Sequence, residues 1–287
     1  GRSFTNEYGY VGVSVVQDEL MMEGMNEKGL SAGLFYFPDY GKYEEYSETN
    51  YETNISDFQL VSYILGRCAT VDEVKAEIAR VHIHGFDPRS STVHWRFAEP
   101  SGRQIVLEII DGKCVFYENK LGVLTNSPSF DWQLTNLNNY VNLMPGRTEP
   151  HTIGNMSLSS FGGGSAMIGL PGDFTPPSRF VRAAFFQSTA PQKPDAEGSV
   201  FTAFHILGSM EIPIGAQFPV DETPADIPSA TQCTCVTDMS GLKFYYRSMY
   251  DGGIRCIDLK EIDFKKIGLK SEPLVPSKRE FVHHIRF

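Results

Sequence analysis

Hydrophobic positions recur with two periods along the chain, and the shorter period of two residues predicts strands in several separate blocks. Residues 10–16 form an apolar run rich in β-branched side chains and predict a first strand. Residues 23–38 predict a hairpin that turns at residues 26–29 and ends this turn with glycine. Residues 91–126 predict four strands, and residues 233–264 predict an antiparallel meander.

The longer period, near 3.6 residues, predicts helices in two pairs. The first pair covers residues 55–69 and 70–81, and the second covers residues 179–188 and 200–209. Strands in runs and helices in pairs favour an α+β fold, in which helices lie over antiparallel sheets. We expect one domain that spans residues 1–287.

Composition narrows the class of protein. The 287 residues carry a formal net charge of −10, which argues against a nucleic-acid partner or an anionic membrane surface. No stretch approaches the roughly 18 uninterrupted apolar residues of a membrane span. The five cysteines are odd in number and scattered, so they predict free thiols and neither a disulfide framework nor a metal site. The terminus does not indicate a compartment, cytoplasm or periplasm.

The histidines do not form a catalytic or metal-binding pattern. His82 and His84 are two residues apart, but no third ligand follows at a suitable spacing. His94 lies in an apolar strand and His205 in an apolar helix, and both are interpreted as satisfied core or rim histidines. The glycines of residues 162–172 lack the lysine of a phosphate-binding loop and predict a tight loop with closely approaching backbone. We therefore expect no cofactor.

Two polar residues stand out after these exclusions. Asn126 ends an apolar run at a corner closed by Pro128, where its amide either caps a turn or faces a ligand. Arg179 begins an apolar helix, where the helix dipole disfavours a cation. It needs an anionic partner, either Asp173 or a substrate carboxylate. Spacing alone favours the turn cap and the pair with Asp173.

Three segments together carry a resemblance to a known family. The chain resembles the choloylglycine hydrolase family in residues 23–30, in "GVLTNSPSFDWQLTNLNNYV" at 122–141 and in "GLPGDFTPPSRFVRAAFF" at 169–186. That family comprises conjugated bile salt hydrolases and penicillin V acylases, and the match runs in order from about residue 8 to residue 263. It implies a four-layer αββα N-terminal-nucleophile fold, with two stacked antiparallel sheets between helical layers.

The resemblance also implies the chemistry. Members cleave a linear amide through an amino-terminal cysteine, whose own α-amine serves as the base, and an acyl-enzyme that water hydrolyses. Asn126 falls on the asparagine whose amide donates to the oxyanion, and Arg179 falls on the arginine near the nucleophile. Tyr36 falls on the position whose backbone N–H is the second oxyanion donor. Tyrosine there tilts the expectation from bile salts towards penicillin V.

The family's opening segment, which carries the cysteine, has no counterpart in residues 1–287. We expect that the chain lacks the family's first strands and that, as given, it does not turn over substrate. The leading hypothesis is an amidase whose intact form supplies the cysteine, acts on a small-molecule amide and forms a homotetramer, as family members commonly do. The alternative hypothesis is a non-catalytic ligand-binding protein that has lost the nucleophile.

Overall fold

Antiparallel strands and short helices make up the fold. The computed structural model describes residues 4–15, 17–87, 91–222, 229–275, 279–282 and 284–286. The strands are β1 (Tyr10–Val15), β2 (Gln17–Asn26), β3 (Ser31–Tyr36), β4 (Asn54–Ser56), β5 (His82–His84), β6 (Val93–Ala98), β7 (Gln104–Ile110), β8 (Lys113–Glu118), β9 (His151–Ile153), β10 (Met156–Leu158), β11 (Cys233–Asp238), β12 (Lys243–Ser248) and β13 (Asp251–Asp258). The helices are α1 (Leu60–Leu65), α2 (Val71–Ile78), α3 (Phe130–Asn136), α4 (Pro176–Thr189), α5 (Ala196–Gly208) and α6 (Phe264–Ile267).

Two antiparallel sheets dominate the described part of the chain. The larger has six strands in the order β1-β2-β3-β6-β7-β8, and the other has three in the order β11-β12-β13. Strands β9 and β10 form a separate hairpin, and β4 and β5 form a short parallel pair. The predicted hairpin is β2–β3 and the predicted meander is β11–β13, so both are confirmed. The second meander turn lies at residues 249–250, whereas the sequence predicted 251–253.

Helices α1 and α2 cover one face of the six-stranded sheet. Trp95, Phe97 and Leu107 point to this face and are completely buried in a cluster that includes Ile64 and Val74 of the two helices. Side chains alternate between the two faces of a strand, so the residues directly before and after each of these three point to the opposite face. That opposite face holds the site described below.

The opposite face packs against the three-stranded sheet. Met25 of β2 contacts the cluster formed by Phe244 of β12 and Leu259. Tyr245 points to the other side of β12 and packs with Phe204 of α5. The layers therefore follow the order helix, sheet, sheet, helix. The four-layer αββα architecture expected from the resemblance is confirmed.

The fourth strand predicted within residues 91–126 is wrong. Residues 119–125 follow β8 as an irregular segment that the side chain of Asn119 organises. Its Oδ1 accepts from the N–H of Gly122 at 2.8 Å, and its Nδ2 donates to the carbonyl of Val123 at 3.1 Å. Gly122 has a φ of 74°, which a strand does not allow. The apolar residues "GVL" therefore belong to a loop that leads from the sheet edge to Asn126.

The two later helices begin earlier than predicted. The sequence predicted residues 179–188 and 200–209, but α4 begins at Pro176, where the missing N–H and fixed φ of proline suit the first helical position. Helix α5 begins after Asp195, whose side chain accepts from the N–H of Gly198 at 2.6 Å. Arg179 consequently lies within the first turn of α4.

The glycine-rich segment after α3 contains the predicted close approach at Gly164, whose N–H donates to the carbonyl of Gly146 at 2.7 Å and whose added Cβ would lie 3.2 Å from Cε of Met167, but not at Gly162 or Gly169. A Cβ added at Gly162 or Gly169 would meet nothing within 4 Å. These glycines have φ values of 128° and 100°, in the region that favours glycine. Their role is to allow the backbone conformation of an exposed loop.

Candidate active site

The end of β3 presents the backbone of Tyr36 to one side of the strand. The N–H of Phe37 donates to the carbonyl of Thr92 at 2.8 Å, so residues 37 and 92 form a hydrogen-bonded antiparallel pair. Such pairs alternate, and the N–H and C=O of Tyr36 therefore point away from β6. The Tyr36 side chain is 56% exposed. Both a backbone donor and an aromatic ring are thus available at this edge.

Asn126 lies at the corner that follows the irregular loop and reaches the end of β3. Its Nδ2 donates to the carbonyl of Tyr36 at 2.7 Å. The next residue, Ser127, donates through its hydroxyl to the carbonyl of Pro38 at 2.6 Å. Gln133 of α3 donates to the carbonyl of Asn126 at 3.3 Å. The corner therefore connects β3 with α3 and does not merely cap its own turn.

Arg179 completes the arrangement from α4. Its Nη2 donates to Oδ1 of Asn126 at 2.7 Å, and its Nε donates to the carbonyl of Phe174 at 3.0 Å. Burial, together with the charge of Arg182, lowers the pKa of Arg179. A guanidinium stays charged in proteins despite such a shift, so the site retains a partly buried cation.

Asp173 is not the partner that spacing alone favoured. Its carboxylate accepts from the backbone N–H of Thr175 at 2.9 Å and from the hydroxyl of Ser178 at 2.7 Å. Hydrogen bonds from Thr175 and Ser178 lower the pKa of Asp173 to about 2. The carboxylate therefore stabilises the start of α4, and Arg179 is left to contact Asn126.

The structure thus brings together all three residues that the sequence singled out. We call the hydrogen-bonded series Arg179–Asn126–Tyr36 the amide row. Because a guanidinium can only donate, Arg179 holds the amide oxygen and fixes which way the Asn126 amide is turned. One N–H of Nδ2 bonds Tyr36, and the second remains for an acceptor atom of a ligand. The row can therefore offer a fixed donor to a developing negative charge.

Sequence reasoning did not connect His94 and Glu108 to this site. His94 was expected to be a satisfied core or rim histidine, and it is completely buried. Its Nε2 contacts the carbonyl of Thr125 at 2.9 Å, directly before Asn126, and its Nδ1 contacts Oε1 of Glu108 at 3.1 Å. One feature of the sequence could have indicated this pair: Glu108 is the one charged residue in the otherwise apolar run "IVLEII" of β7.

Neither a metal centre nor a membrane-spanning helix is found in the described part of the chain. No group of three or more His, Cys, Asp or Glu side chains there could hold a metal ion. Helices long and apolar enough to cross a membrane are also missing from the described residues. The five cysteines are free thiols, and no hydrogen bond described for them reaches the amide row.

Two stacked antiparallel sheets between helical layers define the N-terminal-nucleophile hydrolase fold. Residues 1–272 match the family described as linear amide C–N hydrolases, choloylglycine hydrolase family. A bile salt hydrolase/transferase of Clostridium perfringens is 33% identical over 91% of this chain and 79% of its own length. A penicillin V acylase of Pectobacterium atrosepticum is 29% identical over 92% of this chain and 70% of its own length.

Solved structures agree with this assignment. A variant of the conjugated bile acid hydrolase from Clostridium perfringens superposes with a TM-score of 0.84 and 30% identity, covering 99% of this chain and 86% of that one. Penicillin V acylase from Agrobacterium tumefaciens superposes with a TM-score of 0.73 and 26% identity, over 92% and 73% of the two chains. The chain belongs to the choloylglycine hydrolase family of linear amide C–N hydrolases.

Proposed function

We propose that the intact protein hydrolyses conjugated bile salts or penicillin V through a cysteine that precedes Gly1. The observation that carries this proposal is the amide row, because it combines a fixed amide donor with a partly buried cation at one strand end. Two oriented donors and a cation suit an oxyanion formed next to a thiolate. The relatives that bear bile salt hydrolase and penicillin V acylase names support the two substrate classes.

The mechanism begins when the cysteine α-amine takes the thiol proton and the thiolate attacks the amide carbonyl. The carbonyl oxygen becomes an oxyanion, which accepts from Nδ2 of Asn126 and from the backbone N–H of Tyr36. Collapse breaks the C–N bond, and the protonated α-amine gives its proton to the leaving amine. Water then attacks the thioester, and the acid and the free cysteine are released. Arg179 contributes by holding Asn126 and by favouring the thiolate.

Tyr36 tilts the proposed preference towards penicillin V. Its ring is more than half exposed next to the backbone that would hold the oxyanion, so it would contact the acyl group. A flat aromatic side chain suits the phenoxy group of penicillin V, which can stack on it. We therefore propose a penicillin V acylase-type pocket within the bile salt hydrolase family.

The test uses intact protein whose first residue is cysteine, with residues 1–287 alone as the control. We expect the intact form to release phenoxyacetate from penicillin V faster than it releases glycine or taurine from conjugated bile salts, and the control to be inactive. An intact form that is inactive on both substrates contradicts the proposal. A preference for bile salts contradicts the Tyr36 argument alone.

A non-catalytic ligand-binding protein is the second candidate. Such a protein would use the fixed amide donor and the cation of the amide row to bind an acceptor group without cleaving it. The two candidates differ in the mass of the natural protein. A mass above 32.1 kDa with a reactive first cysteine excludes the binding protein, whereas a natural chain that starts at Gly1 and binds the amide without cleaving it supports it.

We propose in addition that the intact protein is a homotetramer. The segment between α3 and α4, which includes the β9–β10 hairpin, exposes several large apolar side chains. They are Val141, Met144, Ile153, Met156, Phe161 and Ile168. Large apolar side chains exposed along one segment are typical of an interface between subunits. Light scattering on purified protein tests this, and a monomer at micromolar concentration contradicts it.

A further inference from the structure

His94 and Glu108 form a buried polar pair on the sheet face that carries the amide row. They lie opposite each other, because Trp95 pairs with Leu107 in the register of β6 and β7. Both side chains are completely buried. Burying a carboxylate is costly, and Oε2 of Glu108 has no hydrogen-bond partner among the described residues. Two apolar residues would fill the same space at a lower cost.

The contacts of the pair converge on the two sides of Asn126. On the side before the corner, Nε2 of His94 faces the carbonyl of Thr125 at 2.9 Å and must therefore carry a proton. On the side after it, Oε1 of Glu108 accepts from the backbone N–H of Phe130 at 2.9 Å. Nδ1 of His94 and Oε1 of Glu108 are 3.1 Å apart, and one proton between them links the two side chains.

Two further contacts extend these links to the rest of the amide row. The ring of Phe37 stacks on His94 with centroids 4.3 Å apart, and Phe37 directly follows Tyr36. Phe130 begins α3, the helix from which Gln133 donates to the carbonyl of Asn126. The pair His94–Glu108 therefore contacts the backbone on both sides of the corner and the residue that follows β3.

We propose that His94 and Glu108 are positioning residues that hold the Asn126 amide where an oxyanion forms. The inference rests on the proposed function. The pair does not touch the reacting atoms: it acts through the carbonyl of Thr125 and the N–H of Phe130, which fix the backbone that carries Asn126.

The main variant is the double substitution His94→Phe with Glu108→Leu. It removes both polar partners together, so no charge is left buried alone, and the phenyl ring can still stack on Phe37. The control is Phe97→Leu, a change to a completely buried side chain of the same strand that points to the opposite face. A second test variant, Glu108→Gln, removes the carboxylate charge and keeps an acceptor oxygen for the N–H of Phe130.

Hydrogen exchange on the cysteine-first protein tests the positioning without any need for activity. We expect the double variant to exchange faster within residues 122–133, and the Phe97→Leu control to leave this segment unchanged. Equal exchange in the parent chain and the double variant overturns the inference, whatever the protein catalyses.

Kinetics on the cysteine-first protein test the catalytic consequence. We expect the double variant to lose about 10²-fold in kcat, the effect of a displacement near 1 Å, with KM changed by less than about 3-fold. In an Asn126→Ala background the same double substitution should cost less than about 2-fold, because its effect passes through Asn126. Glu108→Gln should keep most of the parent kcat.

Equal losses in both backgrounds would overturn the inference, because a merely structural role lowers activity with or without Asn126. A double variant that is as stable and as active as its parent would overturn it too. A cysteine-first parent without amidase activity contradicts the proposed function, and the catalytic part of the inference falls with it. The exchange measurement then decides the positioning alone.

Discussion

Arg179 and Asn126 are 53 positions apart in the chain, and Nη2 of the arginine donates to Oδ1 of the asparagine at 2.7 Å. This bond decides the orientation of the amide. With Oδ1 held by the guanidinium, Nδ2 is turned to the carbonyl of Tyr36 and to the open side of the site. Substitution of either residue should therefore change the activity of the cysteine-first protein, the form to be used in every kinetic measurement.

Replacing the amide should remove one oxyanion donor. We expect Asn126→Ala to lower kcat by about 10²–10³-fold, the usual loss for one such donor, and to change KM much less. The control is Asn138→Ala, which removes an exposed amide that donates to the nearby carbonyl of Thr135. Steady-state kinetics on penicillin V would measure both, and equal kcat values for the two variants would contradict the role of Asn126.

Replacing the guanidinium should disturb the amide without removing it. Arg179 contacts Asn126 and the carbonyl of Phe174 through different nitrogens, and a lysine ammonium cannot hold both in the same geometry. We expect Arg179→Lys to lower kcat by about 10-fold or more, even though the charge is kept. Arg255→Lys, at an arginine paired on the surface with Asp251, is the matched control. Full activity of Arg179→Lys would show that only the charge matters.

Tyr36 offers a test of substrate preference. We expect Tyr36→Asn to lower kcat/KM for penicillin V relative to conjugated bile salts, because the exposed ring is lost while the backbone N–H stays. The ratio of the two kcat/KM values is the measurement. Tyr51→Asn, at another exposed tyrosine, should leave the ratio unchanged. An unchanged ratio in Tyr36→Asn would remove the argument for an acylase-type pocket.

Asn26 should matter for stability and not for chemistry. This completely buried amide donates to the carbonyls of Leu65 and Cys68 at 2.8 and 2.7 Å, and its oxygen accepts from two backbone N–H groups of the β2–β3 turn. Asn26→Ala would leave these groups unpaired, so we expect a loss of about 2–4 kcal/mol in the free energy of unfolding. Urea denaturation measures it, with the exposed Asn139→Ala as the control. A loss as small as that of the control would contradict the prediction.

Asp173 predicts a stability change at low pH. Its pKa is about 2 in the folded protein, below the value near 4 of an unfolded chain. A carboxylate whose pKa is lower in the folded than in the unfolded state stabilises the folded protein at pH values above the unfolded pKa. This contribution is lost as the pH falls from about 4 to about 2. Because the carboxylate is exposed and screened, the effect should stay below about 1 kcal/mol. Asp173→Asn should be less stable than its parent at pH 7 and equally stable at pH 2, and a difference independent of pH would contradict this.

Local signals in the sequence were sufficient for some elements and insufficient for others. The β2–β3 hairpin was predictable because alternating strands flank a turn that ends in glycine. The strand predicted through residues 119–125 failed because a single side chain, Asn119, outcompetes the apolar pattern by bonding the loop backbone.

The site shows the same division. Asn126 and Arg179 could be named from the resemblance, but spacing favoured a turn cap and a pair with Asp173, because the true partners are distant in sequence. Glu108 could not be connected with His94 before the register of β6 and β7 was known. A shift of that register by one residue would place the two side chains on opposite faces.

Thr125 donates through its hydroxyl to the carbonyl of Pro176 at 3.1 Å, which ties the Asn126 corner directly to the start of α4. The whole exposed segment with the β9–β10 hairpin leaves the body of the protein and returns between these two points. Its exposed part, residues 141–168, can therefore be exchanged by a protein engineer without moving Arg179 away from Asn126, whereas Asp173 and Phe174 must stay because they contact α4. The proposed subunit contacts and the geometry of the amide row can therefore vary independently of each other.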